Sequence, residues 1–214
     1  MDFFEVVRSR RSCREFLDKP VSGKDIETCL EAARLAPSGT NAQPWRFLVV
    51  RSPETKAALV EAGFDQPCLR QAPVITALLG DRGVFKKRLR RAKELADVGA
   101  LSDETLAALE AKYKDKPDAS KEANDVNIMV NCMLAGEHYV LAAAALGLGC
   151  CWVKLYDPEK VSAALKLDPK YNFPVALLPT GHPAGEQPEP RPRYGLSKIA
   201  WKDEVERPWL EGSA

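Results

Sequence analysis

A chain of 214 residues, 45% hydrophobic and 29% charged, has an ordinary globular composition, is long enough for one well-buried core, and is not fibrous or disordered. Lys and Arg total 31 against 30 Asp and Glu, a net charge of +1, so there is no general attraction to nucleic acid or anionic membrane and any use of positive charge is local. Met1 to Glu5 lacks the basic and long apolar stretches of a signal peptide, so a cytoplasmic protein is expected.

Phe3, Val6 and Val7 recur at helical spacing and predict a short helix over residues 2–9. If residues 10–14 are extended, Arg10, Ser12 and Arg14 project to one face, with Arg11 and Cys13 on the other. Ser22 caps the next helix, Asp25 favours its positive end, and Ile26, Cys29, Leu30 and Ala33 form its apolar stripe. Pro37 stops that helix and opens a polar loop over residues 37–44. Trp45 to Val50 reads as a strand, Ser52-Pro53-Glu54 opens a helix running to about Gly63, and Pro73 to Leu79 is a buried strand ended by Gly80-Asp81.

From Val84 to Asp118 the composition turns charged, with Lys86, Lys87, Arg88, Arg90, Arg91 and Lys93 in one cluster that Glu94, Asp97, Asp103, Glu104 and Glu110 soon cancel. This reads as a solvated helical insertion, a possible lid over a pocket, in preference to a nucleic-acid surface. Asn124 to Leu146 is the longest helix, apolar around much of its circumference and therefore buried by the domain or by a partner chain. The apolar stretch Ile128 to Gly149 is interrupted by Asn131, Glu137 and His138, so no membrane span is expected. Gly147 and Gly149 end the helix, Cys150 to Tyr156 follows as a strand, Asp157-Pro158 starts a helix ending near Leu167, and Phe173 to Thr180 is the last core strand. Beyond Gly181 the prolines 183, 188, 190 and 192 favour an extended arm, over 182–214, whose Trp201 and Trp209 need a neighbouring surface. Strands and helices alternate without internal repeat, which predicts one α/β or α+β domain over residues 1–214.

The chain has no G-x-S-x-G, H-E-x-x-H, phosphate-loop or dinucleotide-binding glycine motif. Six cysteines without C-x-x-C spacing and only two histidines argue for small buried thiols and against a metal site. What remains are groups suited to an anion and a polar heterocycle. Arg10, Ser12 and Arg14 match a phosphate monoester, and Arg191 and Arg193 can add to them from the tail. Spacing alone leaves two readings open: an anion site, or solvated surface arginines. The loop Ser38 to Gln43 is equally either a ligand contact or a turn satisfied by its own Ser and Asn side chains.

Four motifs in order, R-R-S-x-R-x-F at 10–16, A-P-S-G-T-N-A-Q-P-W at 36–45, L-G-L-G-x-C-W at 146–152, and P-T-G-H-P followed by P-R-P-R at 179–193, give the chain a resemblance to the FMN-dependent nitroreductase family. The resemblance implies an α+β fold around a central mixed or antiparallel sheet flanked by helices. It also implies a homodimer that exchanges its C-terminal arms and holds one FMN at each of two interface sites.

By the same resemblance, Arg10, Arg11, Ser12 and Arg14 bind the FMN phosphate and ribityl chain, and Arg14 also lies by the flavin N1–O2 edge, where a cation tunes the reduced flavin. Pro37, Ser38, Gly39, Thr40 and Asn41 reach the partner's flavin, Arg193 with Arg191 completes the phosphate site, and Gln66 is a candidate for the pyrimidine ring. After C-W the family often has a small residue whose amide approaches flavin N5, whereas this chain has Val153-Lys154-Leu155, with backbone donation expected from Lys154 or Leu155. The implied activity is ping-pong transfer from NAD(P)H as co-substrate to a small-molecule electron acceptor such as a nitroaromatic or quinone. The alternatives are a flavin-binding protein without turnover, and a scaffold relative specialised for dehalogenation or flavin breakdown.

Overall fold

The computed structural model describes residues 2–113, 121–185, 187, 189–207 and 209, with the side chains of residues 85 and 86 not described. Residues 114–118 of the expected insertion, and Pro188 and residues 210–214 of the expected arm, lie outside the described residues.

In chain order the elements are α1 (Phe3–Ser9), α2 (Gly23–Arg34), β1 (Trp45–Val50), α3 (Pro53–Ala62), α4 (Pro67–Gln71), β2 (Val74–Asp81), α5 (Arg88–Asp97), α6 (Asp103–Tyr113), α7 (Lys121–Ala145), β3 (Gly149–Cys150), α8 (Pro158–Ala164) and β4 (Asn172–Gly181). The four strands form an antiparallel sheet in the order β1-β2-β4-β3. The fold is α+β, with helices on both faces of the sheet.

Both faces are covered, so the central strands read as unbroken apolar runs instead of alternating ones. Val74 and Leu78 of β2 and Ala176 and Leu178 of β4 pack with Ile26, Cys29 and Ala33 of α2 and Ile128, Cys132 and Tyr139 of α7. The intervening Ile75, Ala77, Leu79 and Leu177 face the other way, onto Leu59 of α3, Leu69 of α4 and Val161 of α8. Three caps fix where helices start: Ser22 accepts from the Asp25 amide, Ser52 from Thr55, and Asp157 from Glu159 and Lys160.

The structure corrects several sequence expectations. α2 ends at Arg34, three residues before Pro37. β2 continues through Gly80 and Asp81, because Gly80 supplies a close approach: a Cβ there would lie 2.6 Å from Ile128 and from the Phe173 ring. The strand expected over Cys150 to Tyr156 is reduced to Gly149–Cys150 and an isolated bridge from Val153 to Leu177. The Cys151 amide donates to the Pro179 carbonyl, and Pro179 has no N–H to return, which interrupts the ladder. The helix after Asp157 ends at Ala164, and the short α4 went unpredicted.

α7 is long and apolar enough, by length and composition alone, to cross a membrane. Its Ile128, Cys132, Ala135, Gly136, Tyr139, Val140 and Ala143 are buried in the protein, and Tyr139 shares hydrogen bonds with Thr76 (3.0 Å) and Thr180 (3.3 Å) beneath the sheet. A second face, Val126, Val130 and Leu134, is exposed. A helix apolar on two faces has one more surface than this chain covers.

Candidate functional site

The six residues Arg10, Arg11, Ser12, Arg14, Arg191 and Arg193 line a single cavity of about 300 Å³, together with Val7, Arg8, Glu189 and Pro190. Two local features bring segments 180 residues apart into contact. Ser12 forms a parallel bridge with Cys150, and the Cys13 amide donates to the Cys150 carbonyl (3.0 Å), which anchors the N-terminal run to the sheet edge. The start of the tail then runs antiparallel beside residues 15–17: Phe16 bridges Pro183, the Leu17 amide donates to His182, and the Ala184 amide donates to Glu15. That pairing directs residues 189–193 back over residues 10–14.

Alternation along the run is as expected at its centre, since Cys13 is buried at 2% exposure while Arg14 is exposed. Arg11 departs from it by lining the same cavity as Arg10 and Ser12. Among the described residues, Arg10, Arg14, Arg191 and Arg193 form no ion pair with a carboxylate; Arg14 reaches the Ser12 carbonyl and Arg193 the carbonyls of Arg191 and Pro192. Several guanidinium groups converging without carboxylate partners repel one another unless an anion joins them. The cavity wall also includes the Glu189 carboxylate. Glu189 and Arg8 were missed from sequence, because nothing in their local spacing distinguishes them from solvated charges.

The loop at 37–41 lies elsewhere on the chain. Gly39 and Thr40 line a second cavity, of about 170 Å³, with Ala42, Pro44, Val84, Arg88, Tyr113, Asn127, Ile128 and Asn131, and no residue is common to the two cavities. The loop folds through a 3-10 turn at Gly39–Asn41 and carries Thr40, Asn41 and Gln43 at φ of 52°, 50° and 48°. Left-handed backbone at residues other than glycine costs about 1–3 kcal/mol each and persists only where the surroundings impose it. Here Ser38 Oγ accepts from the Gln43 amide, and Asn41 Oδ1 accepts from Gln43 Nε2 (2.8 Å). Asn131 Oδ1 accepts from the Gly39 amide (3.0 Å), and Arg91 Nε donates to the Asn41 carbonyl (3.1 Å). Asn131 and Arg91 are thus positioning residues for the loop; for Asn131 the available signal was a polar side chain interrupting an apolar helix.

Around the C-W motif, Val153 is buried at the sheet edge while Leu155 is 67% exposed. Lys154 Nζ donates to the Val175 carbonyl (2.8 Å), at the point where β4 carries an extra residue relative to β2. Burial holds the Lys154 ammonium below its usual pKa. Among the described residues, the Lys154 and Leu155 amides have no hydrogen-bond acceptor. Gln66 stands at the N-terminal boundary of α4 without a capping bond, and donates its Nε2 to the Gly63 (2.7 Å) and Leu155 (2.8 Å) carbonyls, which steadies this segment.

All six cysteines are free and buried, as their spacing led one to expect. Hydrogen bonding between the two thiols holds Cys68 below the usual thiol pKa and pushes Cys151 above it. Among the described residues no cluster of three or more His, Cys, Asp or Glu side chains is arranged to hold a metal ion.

The chain is thus an α+β sheet flanked by helices, with one cavity lined by arginines and, separate from it, a strained polar loop. A family model described as the nitroreductase family matches residues 7–182. A protein of Thermus thermophilus named NADH dehydrogenase is 34% identical over 94% of this chain and 97% of its own length. YdgI of Bacillus subtilis, which carries a provisional NAD(P)H nitroreductase name, is 32% identical over 86% of this chain and 90% of its own. An Exiguobacterium sibiricum protein crystallised with FMN superposes with a TM-score of 0.80 at 29% identity, covering 94% of this chain and 98% of that one. The chain belongs to the nitroreductase family.

Proposed function

We propose that this protein is an FMN-dependent oxidoreductase that uses NAD(P)H to reduce small acceptors such as nitroaromatics or quinones in a ping-pong reaction, and that it works as a homodimer. The observation that carries the reading is the cavity in which Arg10, Arg11, Ser12, Arg14, Arg191 and Arg193 converge. Its donor set fits a phosphate monoester, which bears nearly two charges and three strong acceptor oxygens. Arg10, Ser12 and Arg193 hold the phosphate, Arg191 supports them from the tail, and Arg11 and Arg14 follow the ribityl chain, with Arg14 supplying a cation beside the flavin pyrimidine edge. When bound, FMN supplies the electron transfer between nicotinamide and acceptor. The chain's own part is to bind, orient and shield, so no catalytic acid or base is required. The Lys154 and Leu155 amides offer donors to the flavin from the segment that Gln66 steadies.

Two features support the dimer. The 37–41 loop and the arginine cavity are separate on one chain, so Pro37, Ser38, Gly39, Thr40 and Asn41 meet a flavin most simply on a partner. Exposed apolar side chains also form a set that one chain leaves uncovered: Phe3 and Phe4 of α1, Val130 of α7, and Ile199, Trp201 and Trp209 of the arm. Within this reading residues 1–214 act as one domain, the helices of the 84–118 segment form a lid, and the arm from residue 182 crosses to the partner.

The test is anaerobic addition of NADPH or NADH to the FMN-loaded protein. Bleaching of the flavin band, restored by a quinone or nitroaromatic, is the expected result; a spectrum unchanged by either nicotinamide would leave a flavin-binding protein without turnover.

A further inference from the structure

Beside the 38–43 loop, on the side facing the insertion, lies a recess of about 190 Å³ lined by Ala42, Gln43, Trp45, Arg46, Val84, Lys87, Arg90 and Arg91. Four cations face it. Arg46 pairs with Asp81, while Arg90 (3.5 Å) and Arg91 share Glu94, so two carboxylates answer four positive groups. Lys87 has no ion pair among the described residues, and the Arg90 side chain is 67% exposed. The two unanswered charges match a phosphate or pyrophosphate, which carries about two negative charges at pH 7.

The start of α5 adds to this excess. α5 follows directly on a 3-10 turn at Arg82–Lys87 and, like α4, has no side-chain cap and no acid in its first turn, whereas α2, α3 and α8 each have both. Cations at the positive end of a helix oppose its dipole, and a bound anion relieves the conflict.

The recess is small against the roughly 300–1,000 Å³ of whole small-molecule sites, so it suits one group of a larger ligand. It shares Ala42 and Val84 with the 170 Å³ cavity lined by Gly39, Thr40, Tyr113 and Asn131, and Arg91 joins its wall to the Asn41 carbonyl. A ligand whose ring sat by the loop would thus have an anionic portion within reach of the recess.

We infer that Lys87 and Arg90, backed by Arg46 and Arg91, bind a phosphate group of the reduced nicotinamide dinucleotide. The inference rests on the proposed use of NAD(P)H and adds the residues that select it. Both side chains are exposed, so Lys87→Gln and Arg90→Gln leave the core intact. In the anaerobic reductive half-reaction of the FMN-loaded protein, each substitution is expected to raise the apparent Kd at least about tenfold, the effect of one lost charge-assisted hydrogen bond, with the limiting rate unchanged. A loss confined to NADPH assigns the 2′-phosphate, and an equal loss with NADH assigns the pyrophosphate. Normal bleaching with unaltered Kd for both nicotinamides overturns the inference.

Calorimetric binding of inorganic pyrophosphate to the FMN-loaded protein separates this from failure of the reductase reading. If neither nicotinamide bleaches the flavin, pyrophosphate bound by the wild type and lost in the double variant keeps the recess as a phosphate site. Absence of binding in the wild type rejects it.

Discussion

Replacing Arg10 or Arg193 by alanine is expected to weaken FMN binding by about 1.5–3 kcal/mol each, a loss of roughly ten- to a hundredfold in affinity. The two guanidinium groups line one cavity from opposite ends of the chain and pair with no carboxylate among the described residues. Deleting one therefore removes a phosphate contact without leaving a buried carboxylate alone. Two residues on one phosphate are coupled, so the double variant need not equal the sum of the single ones. The check is FMN retained through dialysis, followed by fluorescence titration of the apoprotein. Affinity unchanged in both variants would move the phosphate elsewhere.

The largest effect on stability is expected at the centre of the sheet. Leu78→Ala should lower the unfolding free energy by about 2–5 kcal/mol, through lost burial and the cavity left behind. Leu78 is fully buried and packs against α7 at Gly136, where an added Cβ would lie 2.9 Å from Leu78 Cδ2. Such a backbone contact cannot close to refill the space. By contrast Leu155→Ala, at a side chain 67% exposed, should change stability by less than about 0.5 kcal/mol. Urea midpoints at constant slope measure both, and equal values for the two variants would contradict the assignment of the core.

Which features were legible in the sequence follows from where their physics is local. Ser22, Ser52 and Asp157 cap helices through bonds to residues two or three positions away, so their starts were readable to the residue. β1 was readable because Trp45 to Val50 is a β-branched and aromatic run bounded by Pro44 and Ser52-Pro53. The strand at Cys150 to Tyr156 failed for a distant reason: its partner β4 presents Pro179, which no pattern within residues 150–156 reveals. Gly80-Asp81 resembled a turn, yet glycine there serves a contact with Ile128 and Phe173.

The site divides in the same way. Arg10, Ser12 and Arg14 were candidates from alternation, but their meeting with Arg191 and Arg193 depends on the pairing of residues 15–17 with 182–184. Sequence spacing cannot express that pairing, and the motif resemblance implied only that the two groups of arginines share one phosphate site. Of the loop's two readings the structure shows the turn: Ser38 and Asn41 satisfy it from within, and Asn131 and Arg91 hold it from outside.

The central claim is that one flavin site takes its arginines from one chain and its 37–41 loop from the other. It is tested most directly with mixed dimers. An Arg10→Ala/Arg193→Ala chain and a Ser38→Ala/Asn41→Ala chain, carrying different tags, are co-expressed, and the doubly tagged dimer is isolated for FMN content. If the site is shared, each variant alone holds FMN weakly, while the mixed dimer regains one tight site per two chains. FMN content in the mixed dimer equal to the mean of the two homodimers would contradict the account.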